Sequence, residues 1–274
     1  MTVRPTQVEF HCTHACNFTC ESCSHFSQDG HGGRATVESF RAEVGPWASR
    51  LRPKFLLMLG GEPTLNPDLP ELLEEARWMW PTYAGENATR ILLVTNGWFL
   101  HRHPRLPEVL KRCDIRLDIT RHSVEPAYLA KLDQIVAFVR DAWHIEPTFR
   151  DSQKDWTHIY KGHGKDVMPF SDGDRRKSWK ACVSKWCMQL HEGKLWKCPP
   201  VAYLPMQHTK FGLSPKWEPY LKYRPLEPDC SDAELEAFCQ RQDEDVCNMC
   251  PANPVKFVKP DPSKRSPLPM AYES

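Results

Sequence analysis

The chain has 274 residues, of which 41% are hydrophobic and 26% are charged, a composition typical of a soluble globular protein. The 36 Lys and Arg residues nearly balance 35 Asp and Glu residues, so the formal net charge of +1 excludes a global field that would recruit nucleic acid or an anionic membrane. The N-terminus lacks an apolar signal sequence, and no run approaches the roughly 20 apolar residues of a membrane span. We therefore expect a cytoplasmic protein without nucleic-acid or membrane partners.

Strand-like and helix-like stretches alternate from residue 6 to about residue 150. Predicted strands cover residues 54–59, 90–94 and 114–120, and predicted helices begin near Asn66-Pro67 and near Glu125-Pro126. This alternation predicts an α/β fold with a parallel sheet, either open or curled into a full or partial barrel. Functional residues are then expected at the carboxyl ends of the strands.

Three predicted strands carry polar residues at every second position. These positions are Glu9, His11 and Thr13, then Arg116, Asp118 and Thr120, and then Glu146, Thr148 and Arg150. For any one strand, an edge facing solvent is an equal alternative to a polar interior. Three such strands together favour a barrel with a polar lumen.

Beyond residue 150 the alternation stops. The sequence predicts a barrel core in residues 1–150 and a barrel end and linker in residues 151–181. A small cysteine-rich domain is predicted in residues 182–255, and a proline-rich end that is extended or disordered in residues 256–274.

Cysteine spacing gives the strongest functional signal among the 12 cysteines. In a reducing compartment, clustered cysteines more often bind metals or act in catalysis than form disulfides. Cys16, Cys20 and Cys23 lie together after the predicted strand that carries Glu9 and His11, without the second pair that a structural zinc site requires. A four-iron cluster held by three thiolates keeps one iron open for a substrate or cofactor.

The C-x3-C-x2-C spacing of these cysteines, followed by Gly60-Gly61-Glu62-Pro63 after the strand predicted at residues 54–59, resembles the radical S-adenosylmethionine (radical SAM) superfamily. The resemblance implies a partial (β/α)6 TIM-like barrel and a [4Fe-4S] cluster on Cys16, Cys20 and Cys23. In that family the open iron binds S-adenosylmethionine (SAM), and reductive cleavage of SAM gives a 5'-deoxyadenosyl radical that abstracts a hydrogen atom from the substrate.

The resemblance also implies which residues bind SAM. Gly60, Gly61, Glu62 and Pro63 correspond to the backbone and carboxylate that receive the methionine ammonium group. Thr95, Asn96 and Thr120 stand at strand ends where such proteins hold the ribose and carboxylate groups. The physiological reductant implied is an electron donor such as flavodoxin or ferredoxin.

A second set of cysteines resembles the short auxiliary-cluster extension called a twitch domain, a reduced form of the SPASM extension. The implied ligands of a second [4Fe-4S] cluster are Cys187, Cys198, Cys247 and Cys250, with Cys182 competing with Cys187 for the first position. The alternative is a structural zinc ion on the same four thiolates.

The leading functional hypothesis is a radical SAM enzyme that dehydrogenates or epimerises a small polar substrate of the sugar or aminocyclitol type. Arg150, His11 or Glu9 would hold or activate the substrate hydroxyl, and in an epimerase Cys239 would return a hydrogen atom. A peptide maturase and a non-catalytic zinc-binding interaction protein are the alternatives.

Overall fold

The computed structural model describes residues 2–82, 85, 88–152 and 156–264. The β-strands are β1 Gln7–His11, β2 Phe55–Leu59, β3 Arg90–Thr95, β4 Ile115–Arg121, β5 Thr148–Asp151, β6 Cys187–His191 and β7 Lys194–Trp196. The α-helices are α1 Val37–Ala48, α2 Leu69–Met79, α3 Leu106–Arg112, α4 Pro126–Trp143, α5 Arg175–Ala181, α6 Pro199–Phe211, α7 Glu218–Leu221 and α8 Asp232–Gln240. Across these described ranges, no helix is both long enough and apolar enough to cross a bilayer.

The strands form one sheet in the order β5-β4-β3-β2-β1-β6-β7. Strands β1 to β6 pair in parallel, and β7 pairs antiparallel with β6 at one edge. Helices connect the parallel strands, as expected for crossovers within one sheet. The α/β fold predicted from the sequence is therefore confirmed, with six parallel strands in a partial (β/α)6 barrel.

The sheet is curled, because residues from its distant strands interact electrostatically. In a flat sheet the five strand spacings between β5 and β6 would separate them by roughly 24 Å. Burial and the charge of Glu9 raise the pKa of the Cys187 thiol on β6, whereas the positive charge of Arg150 on β5 lowers it. The two ends of the parallel sheet thus face each other across a lumen.

Strands β6 and β7 come from the segment predicted to form a separate cysteine-rich domain. Instead, β6 pairs with β1 in the register Gln7↔Cys187 to Phe10↔Leu190. The physical reason is that a sheet ending at β1 would expose an unpaired edge next to the cysteine triplet. The barrel therefore includes residues from both sides of the linker.

The outer face of the sheet packs against the helices and forms the main core. Leu72, Leu73 and Ala76 bring α2 onto this face, where they are fully buried. Helix α2 begins at Leu69, later than the predicted start at Asn66-Pro67. The Asn66 amide instead turns inward and donates hydrogen bonds to the carbonyls of Cys12 and Ala35, at 2.7 and 2.8 Å.

One row of side chains crosses the inner face of the sheet, because residues that pair between neighbouring strands face the same side. In this row Gln189 pairs with Glu9, Glu9 with Leu57, Leu57 with Leu92, and Leu92 with Arg116. The lumen is therefore polar on the β1, β6 and β4 walls and apolar between them.

Glu146 does not join the inner face, although the alternating pattern predicted that it would. It precedes β5, lies exposed, and forms an ion pair with Arg140 of α4. The strand begins only at Thr148, so the two-residue period does not extend back to position 146.

Candidate cluster and substrate site

Cys16, Cys20 and Cys23, here called the first thiol group, lie together after the carboxyl end of β1. Burial raises the pKa of Cys16 well above its usual value, and the neighbouring Cys20 and Cys23 raise it further. Burial likewise raises the pKa of Cys20 to about 12. Burial also acts on Cys23, but hydrogen bonding to His25 outweighs it and lowers the pKa of this thiol. Within the described parts of the chain, no three His, Cys, Asp or Glu side chains converge on a single-ion site.

The loop that carries the first thiol group rests on the Gly60-Gly61 turn after β2. The amide of Gly61 donates to Thr13 O, and that of Glu62 donates to Ala15 O, both at 2.8 Å. A Cβ atom on Gly60 would lie 2.3 Å from Thr13 O, and one on Gly61 would lie 2.1 Å from Ala15 O. Only glycine permits this backbone-to-backbone approach.

The Glu62 carboxylate joins the ends of β2 and β3. Its Oε1 atom accepts hydrogen bonds from the Thr64 and Thr95 hydroxyls, each at 2.5 Å, and Oε2 accepts one from the backbone N–H of Asn96 at 2.7 Å. Burial raises the pKa of Glu62, and these hydrogen bonds oppose that shift. The Asn96 side chain then donates to Asn17, which lies inside the cysteine loop, at 2.9 Å.

The residues predicted to bind SAM therefore share one edge of the sheet with the first thiol group. Pro63 begins a short 3-10 turn after Glu62, and Thr120 is buried near the end of β4. The Thr120 carbonyl accepts a hydrogen bond from the hydroxyl of Tyr128 on α4 at 3.3 Å. That these residues hold SAM stays a prediction.

Glu9 and His25 form the central charged pair of the lumen. The Glu9 carboxylate accepts from Gln7 and Gln189, each at 2.6 Å, and lies 3.4 Å from His25 Nε2. Burial raises the pKa of Glu9, but its hydrogen bonds outweigh this effect and the pKa falls below its usual value. Burial lowers the pKa of His25, yet its bonds to Cys23 and Glu9 raise it to about 9.

His11 lies beside this pair and stacks on Tyr203, with ring centroids 4.3 Å apart. Burial lowers its pKa well below the usual value, and the charge on nearby His25 lowers it further, so His11 is neutral at neutral pH. Its Nε2 atom is buried and has no hydrogen-bond partner among the residues described. His11 therefore offers the lumen a neutral imidazole nitrogen.

Asp118 balances both arginines that the sequence placed on the inner face. Arg116 Nε lies 3.0 Å from Asp118 Oδ1, and Arg150 Nη2 lies 3.4 Å from Asp118 Oδ2. Thr148 also hydrogen-bonds to this carboxylate. Arg150 thus reaches the lumen as a paired side chain that stays partly exposed.

Cys239 does not reach the lumen, contrary to its predicted place beside the substrate. It lines a surface recess with Val3, Trp186 and Met188. Helix α8 turns Leu235 and Phe238 into the main core, which leaves Cys239 on the outer side of the sheet. The lumen thiol is instead Cys187, whose Sγ accepts a hydrogen bond from Gln7 Nε2 at 3.2 Å.

The two candidates for the first auxiliary ligand have different surroundings in the structure. Cys182, Cys198, Cys247 and Cys250, here called the second thiol group, line a common cavity with Trp179. Burial raises the pKa of Cys250 well above its usual value, and each of the other three thiols raises it further.

Cys187, which the sequence assigned to this group, does not line the cavity, although Cys182 lies close enough to raise the pKa of its thiol. Whether Cys182 or Cys187 is the first auxiliary ligand stays a prediction. As the first residue of β6, Cys187 faces the same side of the sheet as Gln189, two residues further along the strand. Alternation of Cys187, Gln189 and His191 with Met188 and Leu190 is the sequence signal that would have indicated this.

The chain end also packs beside the first thiol group, which the sequence did not indicate. Residues 256–264, here called the C-terminal segment, follow an extended course apart from a 3-10 turn at Pro262–Lys264. The amide of Thr19, inside the cysteine loop, donates to Pro262 O at 3.1 Å. Lys259 is only 1% exposed, so this part of the predicted proline-rich tail is anchored. Residues 265–274 of that tail lie outside the described residues.

Comparison with known proteins identifies the core of the chain. Residues 10–144 match the family model of the radical SAM superfamily. The chain is 30% identical over 115 residues to a probable GTP 3',8-cyclase of Sulfolobus acidocaldarius, and 27% identical over 137 residues to one of Metallosphaera sedula. These alignments cover 42% and 47% of this chain, and they span only 33% and 40% of the relatives' lengths.

Solved structures show weaker likenesses. Native anSMEcpe with bound AdoMet matches with a TM-score of 0.40 and 16% identity, over 53% of this chain and 43% of that chain. Streptococcus suis SuiB bound to S-adenosylmethionine matches with a TM-score of 0.36 and 14% identity, over 90% of this chain and 71% of that chain.

The close approach at Gly61 predicts a strong effect of one methyl group. Gly61→Ala is expected to lower the free energy of unfolding by about 2–3 kcal/mol, because the new Cβ would overlap Ala15 O. Gly45→Ala in α1, where a Cβ meets no atom within 4 Å, should raise stability by about 0.5–1 kcal/mol. Urea unfolding measures both changes. Wild-type stability in Gly61→Ala would contradict this account of the loop.

Proposed function

Because residues 10–144 belong to the radical SAM superfamily, we propose that the chain cleaves SAM reductively and abstracts a hydrogen atom from a small polar substrate in the lumen. The observation that carries this proposal is the position of the first thiol group, at the carboxyl edge of a lumen lined by Glu9, His25 and His11. A one-electron donor such as flavodoxin or ferredoxin would supply the reducing equivalent.

The donor set fits a [4Fe-4S] cluster held by Cys16, Cys20 and Cys23. Cys20 and Cys23 lie close enough to Cys16 to raise its pKa, and Cys23 likewise raises the pKa of Cys20, so a metal centre that binds these groups as thiolates removes an electrostatic penalty. When bound, such a cluster supplies the electron that cleaves SAM to methionine and a 5'-deoxyadenosyl radical.

The lumen residues would then hold the substrate through hydrogen bonds and charges. The neutral His11 Nε2 is suited to accept a hydrogen bond from a substrate hydroxyl, and the ionised Glu9 carboxylate is suited to accept a second one. Arg150, which Asp118 orients, offers guanidinium donors to an anionic or hydroxylated group. This pattern favours a sugar-like or aminocyclitol-like substrate.

A purine nucleotide is a second candidate substrate, since the two curated relatives are named probable GTP 3',8-cyclases. The partly exposed side chains of Arg116 and Arg150 support it, because guanidinium groups bind phosphates well. Because the aligned regions cover less than half of this chain, GTP is tested beside the other candidate substrates.

Anaerobically reconstituted protein, given SAM and dithionite, is expected to produce 5'-deoxyadenosine that chromatography with mass spectrometry detects. The Cys16→Ala/Cys20→Ala/Cys23→Ala variant should produce none, whereas Cys113→Ala, which changes a buried thiol at the end of α3, should retain the activity. Candidate sugars, aminocyclitols, GTP and peptides are then compared for stimulation. Zinc without iron in the wild-type protein, and no 5'-deoxyadenosine, would sink the proposal in favour of a zinc-binding interaction protein.

We further propose that the second thiol group holds an auxiliary [4Fe-4S] cluster. Four thiolates saturate such a cluster, which suits it to electron transfer. The Nε1–H of Trp179, in the cavity lined by these thiols, is buried without an acceptor among the described residues, and cluster or thiolate sulfur would provide one. A structural zinc ion would use the same four thiolates.

Iron content distinguishes these assignments. Wild-type protein is expected to contain about eight irons, as two four-iron clusters. Cys182→Ala should lose about four of them, because it removes a ligand of the second thiol group, whereas Cys187→Ala should keep all of them. Iron loss in Cys187→Ala with retention in Cys182→Ala would reverse the assignment, and zinc in place of four irons would support the structural alternative.

Epimerisation is favoured over dehydrogenation by one observation, the half-buried Cys187 thiol on the lumen wall. Burial and the charge of Glu9 raise its pKa, so the S–H bond stays intact near neutral pH. Such a thiol can give a hydrogen atom to a substrate carbon radical. The second thiol group would hold the cluster that supplies one electron, and solvent would supply one proton, to restore the thiol from the resulting thiyl radical.

Deuterium labelling tests this step once a substrate is found. In D2O, epimerisation should place one solvent deuterium on the product carbon, and Cys187→Ala should abolish this product while still forming 5'-deoxyadenosine. Cys239→Ala serves as the control, because that thiol lies outside the lumen. A ketone product without deuterium, formed equally by Cys187→Ala, would identify a dehydrogenase instead.

A further inference from the structure

The C-terminal segment brings one lysine to the first thiol group. Lys259 Nζ donates to Ser152 Oγ at 3.0 Å and lies 3.4 Å from His122 Nδ1. The same His122 nitrogen lies 3.4 Å from Cys20 Sγ. A single imidazole nitrogen thus stands between the ammonium group and a predicted cluster ligand.

Lys259 is buried without a carboxylate partner among the residues that the structure describes. Its remaining contact is the ring of Trp156, whose centroid lies 3.9 Å from Nζ. Burial lowers the pKa of Lys259, and the Cys20 and Cys23 thiols oppose this as the acidic groups near it. An unpaired buried ammonium costs several kcal/mol, so its retention points to an anion that the protein alone does not supply.

We propose that Lys259 is the counter-charge of the cluster held by Cys16, Cys20 and Cys23, and that its ammonium raises the reduction potential of this cluster. A cluster with three thiolates gains one negative charge on reduction. A fixed positive charge in a buried, weakly screened position stabilises the reduced form more than the oxidised form.

His122 completes the arrangement. Its Nδ1 atom lies within 3.5 Å of Cys20 Sγ, Ser152 Oγ and Lys259 Nζ. With Cys20 as a thiolate, the Nδ1–H tautomer donates to sulfur while Lys259 donates to Ser152. Hydrogen bonds to cluster sulfurs also raise reduction potentials, so both groups act in the same direction.

Lys259→Met tests the proposal in the full-length, reconstituted protein. Its cluster midpoint is measured by an EPR-monitored redox titration that follows the signal changed by added SAM, which distinguishes this cluster from an auxiliary one. We expect at least a tenfold lower ratio of reduced to oxidised cluster at a fixed potential, which corresponds to about 59 mV for a one-electron couple. Lys259→Arg, which keeps the charge, should largely restore the wild-type midpoint.

Lys264→Met is the matched control, because it removes an exposed charge from the same segment. Its midpoint should equal that of the wild type. A wild-type midpoint in Lys259→Met with full iron content would overturn the proposal. If the wild type itself holds no iron that depends on the first thiol group, the cluster assignment fails, and the role of Lys259, which rests on it, fails with it.

If Lys259→Met loses its iron, a second pair of variants tests whether the charge of Lys259 sets the reduction potential of the cluster. Ser152→Asp places a carboxylate beside the ammonium and neutralises its field, whereas Ser152→Asn has similar size and no charge. We expect Ser152→Asp to lower the midpoint relative to Ser152→Asn. Equal midpoints in these two variants would show that the local charge does not set the potential.

Discussion

The close contact between Gly60-Gly61 and the backbone of residues 13–15 is the constraint on which the site depends. Side chains larger than hydrogen would force these segments apart, because the hypothetical Cβ positions overlap carbonyl oxygens. Through this contact the turn after β2 fixes the loop after β1. Glu62 then extends the connection to Asn96, and Asn96 to Asn17 within the cysteine loop. Three strand ends and the first thiol group therefore form one hydrogen-bonded unit.

Charge balance explains why the polar interior is compatible with a folded protein. In the lumen, Asp118 is shared by two arginines, and Glu9 is matched by His25. Lys197, buried near the second thiol group, pairs with Glu244 at 3.3 Å. Lys259 departs from this pattern, because the groups of opposite charge near it are thiols that become anionic when they bind metal. The charge of Lys259 is therefore balanced when the first thiol group binds a metal.

Sequence patterns predicted the parts of the molecule that local chemistry determines. Strand and helix periodicity predicted the parallel sheet, and cysteine spacing predicted the first thiol group, because those signals lie within a few residues. Register partners and long-range packing were not accessible in this way. The closure of β6 on β1 turned Cys187 into the lumen, and the anchoring of the C-terminal segment brought Lys259 next to Cys20 across more than 200 positions. Proline content alone indicated a free end there, since composition carries no information about tertiary contacts.

The two thiol groups lie at opposite ends of the lumen, and this follows from strand direction. The first group comes after His11, where β1 ends, whereas Cys187 pairs with Gln7, where β1 begins. Cys182 precedes β6, and antiparallel β7 returns the chain to bring Cys198 to the same end. The five residues of β1 span about 16 Å, so a substrate beside Glu9 would lie between the two groups. Under the proposed function, a hydrogen atom would leave the substrate toward one end of this lumen while an electron is exchanged with the other. The curled sheet would then keep these two parts of the proposed reaction apart.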